Sequence, residues 1–223
     1  METTKEQSKF QKKEKLLGYI IICLAIIGAI SVVVLGVKGV QYLFDDSDER
    51  LKYQKFIATV VMQDPPEFDS VADCSNDFLL QCGMWSVLIK SDTSRYEDDE
   101  TGQLMVPAAD VDQWIYTLFG EKATVAHHSF GDGQYEFTYN EETALYTVPA
   151  SGYLGYYTPY VTEIKEKNGK LELKVGYVST TNMASAEING QVYIPDVDKY
   201  ETYVLEKNSE GEYYISAIKP YKE

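Results

Sequence analysis

The chain has 223 residues and a formal net charge of −15, with 44% hydrophobic and 13% aromatic residues. Five of its 20 Lys/Arg and three of its 35 Asp/Glu fall in the first 15 residues, so the remainder carries 15 against 32, a net charge of −17. That acidity repels phosphate backbones and anionic headgroups and argues against a nucleic-acid partner, while the ordinary apolar content excludes a disordered acidic tail.

Residues 1–15 contain Lys5, Lys9, Lys12, Lys13 and Lys15. From Leu16 to Val37 the chain reads LLGYIIICLAIIGAISVVVLGV, 22 residues without a charge, 14 of them Leu, Ile or Val. A helix of that length is ~33 Å long and crosses a hydrocarbon core of ~30 Å. The run extends well past the ~7–15 apolar residues of a cleavable signal. It reads as an uncleaved single-span anchor. Cys23 follows three isoleucines rather than the small residue that lipidation needs, and is a small apolar side chain of the span. Lysines before the span, with Asp45, Asp46, Asp48 and Glu49 after it, keep the N-terminus in the cytoplasm and the acidic remainder outside the cell membrane. Ala25 and Ala29 form a small-x-x-x-small pair that lets two spans approach, a hint of self-association.

Residues 38–47 are a short link in which Tyr42 and Phe44 suit the membrane interface, and one domain follows over residues 48–223. Ser47 is a capping residue, with Asp48 and Glu49 in the first turn of a helix. Tyr53, Phe56, Ile57, Val60 and Val61 recur along it at helical spacing, and Pro65-Pro66 ends it. After Asp69-Ser70 a second helix is expected, with Val71, Cys74, Phe78, Cys82, Trp85 and Ile89 on one face. Residues 91–102 are a polar loop. Pro107 opens a third helix with Val111, Trp114, Ile115, Leu118 and Phe119 as its stripe and Gly120 as its stop, and no strand is read before it. From residue 123 the period changes from 3.6 to 2, which places strands over 124–130, 134–139, 144–148, 160–166, 171–178, 200–206 and 212–219. Gly131-Asp132-Gly133, Asn168-Gly169 and Asn208 to Gly211 supply turns. Asn168-Gly169 is the strongest of these, because both positions tolerate positive φ. The class is α+β: one N-terminal transmembrane helix, then N-terminal helices packed on a curved antiparallel sheet.

An anchor, a few helices and a meandering sheet ending in YVTEIKEKNGKLELKVGYVS (160–179) and YETYVLEKNSEGEYYISAIKP (200–220) resemble, in element order, the NTF2-like, cystatin-like domains that many bacteria display outside the membrane. The resemblance implies one of two roles. The domain is an assembly subunit of a secretion or conjugation machine, or it binds a small ligand in the cone between helices and sheet.

Cys74 and Cys82, on one continuous helix, would have Cα atoms ~12 Å apart. A bridge needs them within ~7 Å, so free, buried thiols are expected unless the helix breaks between them. His127 and His128 are the only histidines; as strand neighbours they point to opposite faces and cannot share a metal. Glu97-Asp98-Asp99-Glu100 lacks the D-x-D-x-D-G spacing of a calcium loop and reads as solvated. No G-x-S-x-G, S-x-x-K, H-E-x-x-H or phosphate-cradling glycine loop is present. No catalytic residue, metal or cofactor is therefore assigned, and the domain reads as non-enzymatic.

Tyrosine is the unusual component: 14 of the 19 lie from residue 135 onward. Tyr153, Tyr156, Tyr157 and Tyr160 crowd the segment SGYLGYYTPY (151–160) among glycines and a proline. They form the best candidate surface for a peptide, glycan or partner protein, against the plain alternative that tyrosine suits half-buried strands. The expectation is an anchored extracytoplasmic interaction or accessory domain that docks onto other envelope proteins. The alternative is a module that binds a small molecule or a cell-wall fragment.

Overall fold

The computed structural model describes residues 46–131, 135–149, 155–180 and 196–222. The expected tail (1–15), the span (16–37) with Cys23, Ala25 and Ala29, most of the link, the centre of the Gly131–Gly133 turn, and Tyr153 lie outside them. Among the described residues no helix is long and apolar enough to cross a membrane.

Three helices pack with two four-stranded antiparallel sheets. Helix α1 spans Ser47–Val61 and buries Tyr53, Ile57, Val60 and Val61, the stripe its periodicity marks. The chain leaves it through Asp64, at φ 50°, just before the two prolines. The second helix differs from expectation. Residues Val71–Asp73 make a separate 3-10 turn, Cys74 is extended, and helix α2 runs only over Asn76–Lys90. Two capping serines account for the break. The Ser70 hydroxyl accepts from the Ala72 N–H and the Ser75 hydroxyl from the Phe78 N–H, so each starts its own helix and the first cannot run into the second.

A three-residue strand, β1 (Met105–Pro107), precedes helix α3 (Ala108–Phe119), where none was read from the sequence. Three residues carry too little alternation to be seen. Pro107 is the N-cap rather than the first helical residue, and Gly120, at φ 77°, ends the helix as expected. Helices α2 and α3 meet at Gly83: a Cβ there would lie 2.7 Å from Ile115 Cγ1 and 2.9 Å from Val111 Cγ1.

A polar seam joins α1 to α2. Lys90 Nζ donates to the Phe56 carbonyl (2.8 Å) and to Thr59 Oγ1 (3.3 Å). Ser86 Oγ donates to the Cys82 carbonyl, which leaves Thr59 to donate to Ser86 across 2.7 Å. Every group in the seam is thereby satisfied, the condition for burying polar side chains between helices. Desolvation pushes the Lys90 ammonium down to about 8.

Strands β2 (Phe130–Gly131), β3 (Glu136–Asn140) and β4 (Leu145–Thr147) join β1 in the order β1-β4-β3-β2. The strand expected over 124–130 shrinks to β2. Upstream, Ala126 gives its N–H and its carbonyl to the side-chain amide of Asn76, at 2.7 and 2.8 Å, instead of to a neighbouring strand. Strands β5 (Tyr157–Lys167), β6 (Lys170–Ser179), β7 (Lys199–Lys207) and β8 (Tyr213–Pro220) form the second sheet in chain order. Asn168 (φ 55°) and Gly169 (φ 76°) make the expected tight turn. Leu171, Leu173, Val175 and Tyr177 of β6 pair with Leu205, Tyr203, Glu201 and Lys199 of β7 on the inner face. The single curved sheet expected from the sequence is thus two sheets, because β4 pairs with β1 and β3 rather than with β5.

Candidate functional site

Strand parity divides the tyrosine segment. Tyr157 stands opposite Ser179 on the inner face, its ring edge-on to Tyr177 at 5.4 Å. Tyr160 stands opposite Gly176 on the outer face, and Gly176 in turn faces Tyr200. Tyr156 precedes the strand and is 61% exposed. Its N–H donates to the Met62 carbonyl and its carbonyl accepts from Thr180, so the exposed ring sits on a fixed backbone. The segment therefore does not present one surface. The outer face instead carries Tyr160 and Tyr200 on either side of Gly176, and Lys174 Nζ lies 4.5 Å from the Tyr200 ring centre and 4.0 Å from that of Tyr221.

Behind Tyr157 lies a buried hydrogen-bonded chain. Tyr177 donates to Glu201 Oε2 (2.5 Å), and Tyr203 therefore donates to Tyr177 (2.7 Å). Lys199 Nζ bridges Glu201 Oε1 and Asp64, both at 2.7 Å, with the Tyr177 ring 4.4 Å away. Glu201 is only 5% exposed. Burial drives both phenols well above their ordinary range, so neither ionises. A closed set of satisfied donors and acceptors has nothing left for a substrate; it ties the end of α1 to the sheet. Lys199 and Glu201, two residues apart on the face that also carries Tyr203 and Leu205, were the sequence signal for this cluster.

The two histidines lie in the irregular segment before β2 and still diverge. His127 reaches Asp112 of α3 (3.1 Å) through Nε2 and the Tyr146 hydroxyl (2.8 Å) through Nδ1. A carboxylate, an imidazole and a hydroxyl in line are the parts of an activated nucleophile. Here the hydroxyl belongs to a fully buried tyrosine whose pKa is raised by burial, so it can neither ionise nor meet a substrate. His128 turns the other way, to Asp77 at the start of α2 (2.8 Å). Neither aspartate was visible in the sequence, because each stands some 15 or 51 residues from its histidine.

Cys74 and Cys82 are free, with Cys82 fully buried and Cys74 half-buried; burial pushes the Cys74 thiol up to about 11. In the acidic loop, Asp99 turns its carboxylate onto Thr101 and the Gln103 N–H, which hold its pKa down and close the loop on itself. Among the described residues no three His, Cys, Asp or Glu side chains are grouped to hold a metal ion.

One further cavity opens between α1, α3 and the β7–β8 hairpin, a cleft of about 260 Å³ walled by Tyr53, Phe56, Tyr116 and Tyr213. A wider trough of about 950 Å³ crosses the outer face near Lys219, where Lys219 pairs with Asp69 and Lys167 with Glu172. No family model, curated protein or solved structure matches the chain.

Proposed function

We propose that the chain is a single-pass protein of the cell membrane, with residues 1–15 in the cytoplasm, 16–37 spanning, and a non-enzymatic domain from residue 48 outside, where it docks onto other envelope proteins as an accessory subunit. The charge-free run and its lysine-rich flank support the topology. NTF2-like membership is part of this proposal and rests on element order. The docking role is carried by the outer sheet face, where Tyr160 and Tyr200 flank Gly176, and by Tyr156, exposed just before the same strand. Aromatic side chains on a rigid strand lose little entropy when a partner covers them, which is what makes them anchors of protein interfaces.

The test is photocrosslinking in intact cells, with the reactive residue placed at Tyr156, Tyr160 or Tyr200 of the full chain and at Glu142 as a control. Discrete adducts with envelope proteins are expected at the three tyrosines and not at Glu142. No adducts, or the same adducts at Glu142, would remove the docking reading.

A second reading, a module for a small molecule or cell-wall fragment, is favoured by the tyrosine-walled cleft between α1 and α3.

A further inference from the structure

The cleft between α1, α3 and the β7–β8 hairpin receives the hydroxyl of an otherwise buried tyrosine. Tyr53 is only 4% exposed, and its ring stands edge-on to Tyr213 at 6.2 Å. Among the described residues its hydroxyl has no hydrogen-bond partner, and the side chain lines the cleft. The hydroxyl opens to the cleft and is not sealed from solvent, so water or a ligand there can accept its proton. Tyr116 and Tyr213, on the other walls, also present hydroxyls without a protein partner among the described residues. Burial and the neighbouring Glu49 raise the Tyr53 phenol to about 12, so it remains a donor across the physiological range.

The charges around the cleft decide what chemistry fits. Glu210 and Glu212 outnumber Lys52 on its rim, which disfavours a phosphate or carboxylate. Lys52 Nζ lies 5.6 Å from the centre of the Tyr53 ring, so a cation already occupies the π face that a cationic ligand would seek. What remains is a neutral molecule with many hydroxyls and an apolar edge. The volume, about 260 Å³, is below the ~300–1,000 Å³ of sites for drug-sized ligands, so the ligand is one ring rather than several.

We propose that this cleft binds a single neutral sugar ring, free or at the end of a glycan chain. The phenols of Tyr53, Tyr116 and Tyr213 and the amide of Gln113 meet its hydroxyls, and the Phe56 and tyrosine rings meet its C–H face. The proposal rests on the ligand-binding reading and is independent of the outer-face tyrosines.

The experiment uses the full chain in polyoxyethylene-detergent micelles, which have no sugar headgroup, with saturation-transfer NMR on glucose, N-acetylglucosamine and glucose 6-phosphate. Transfer to at least one neutral sugar is expected, with none to the phosphate. Tyr53→Phe weakens binding about tenfold, the loss of one hydrogen bond. It leaves the sugar-free melting temperature unchanged or higher, because the deleted hydroxyl had no protein partner. Absence of transfer to both neutral sugars would overturn the proposal, as would equal transfer to the phosphate or unaltered binding by Tyr53→Phe. Crosslinking at Tyr156 and Tyr200 is unaffected by any of these outcomes, so failure here and failure of the docking reading are told apart.

Discussion

Nδ1 of His128 lies 3.0 Å from the Ala126 carbonyl, and its Nε2 lies 2.8 Å from Asp77 Oδ1. Both ring nitrogens thus face acceptors, and only the doubly protonated ring satisfies both. The Asn76 amide, 3.2 Å from Nδ1, is the donor that the neutral ring would turn to. The Ala126 carbonyl, followed by Asp77, accordingly raises the His128 pKa above its ordinary 6.5. A raised histidine stabilises the fold fully below its unfolded pKa, and that contribution is lost as pH rises through the folded value. We predict that His128→Gln melts below the wild type at about pH 5.5 and that the gap closes by about pH 9. A gap independent of pH would show that the ring acts through packing alone. At this scale the sequence was informative about residue type and blind to partners. The two histidines were visible, but Asp77, Asp112 and Tyr146 reach them only through the fold.

Between elements, the closest approach is the α2–α3 crossing at Gly83. A methyl group there must displace Ile115, Val111 or the Val111 carbonyl, all within 2.9 Å of the added carbon. Overpacking of this kind costs about 1–3 kcal/mol. Gly83→Ala should therefore lower the midpoint of urea unfolding, whereas on helix propensity alone alanine would raise it. Unchanged or increased stability would mean that the helices separate freely. Periodicity located the buried stripes of α1 and α3 and the alternation of β6, since each depends on spacing within one segment. It failed at the 71–75 break and at 124–129. In both places a side chain competes with the backbone ladder: Ser70 and Ser75 in the first, Asn76 in the second.

For the whole molecule, the proposed anchor and the acidic domain make separate demands. A charge-free helix of 22 residues holds a protein in the bilayer irrespective of surface charge, whereas an acidic domain alone would be repelled from it. The full chain should therefore stay with the membrane pellet after alkaline carbonate extraction, and deletion of residues 16–37 should release it. Recovery of the full chain in the supernatant would refute the anchor. The two tests of the domain proper then read opposite regions of it, the outer face of β5–β8 by crosslinking and the α1–α3 cleft by sugar titration.

From its amino acids alone this protein shows the uncharged run, the lysine asymmetry around it, the acid excess beyond it, and the change of period from 3.6 to 2 after residue 123. Each is a property of contiguous residues or of composition, and no distant contact can change it. Which strands pair, and which face each tyrosine takes, were decided only in three dimensions. A one-residue difference in parity sends Tyr157 inward and Tyr160 outward. The unpartnered phenol of Tyr53 is a tertiary fact of the same kind. It exists because α3 and the β7–β8 hairpin close around a helix whose own sequence marks that tyrosine only as core.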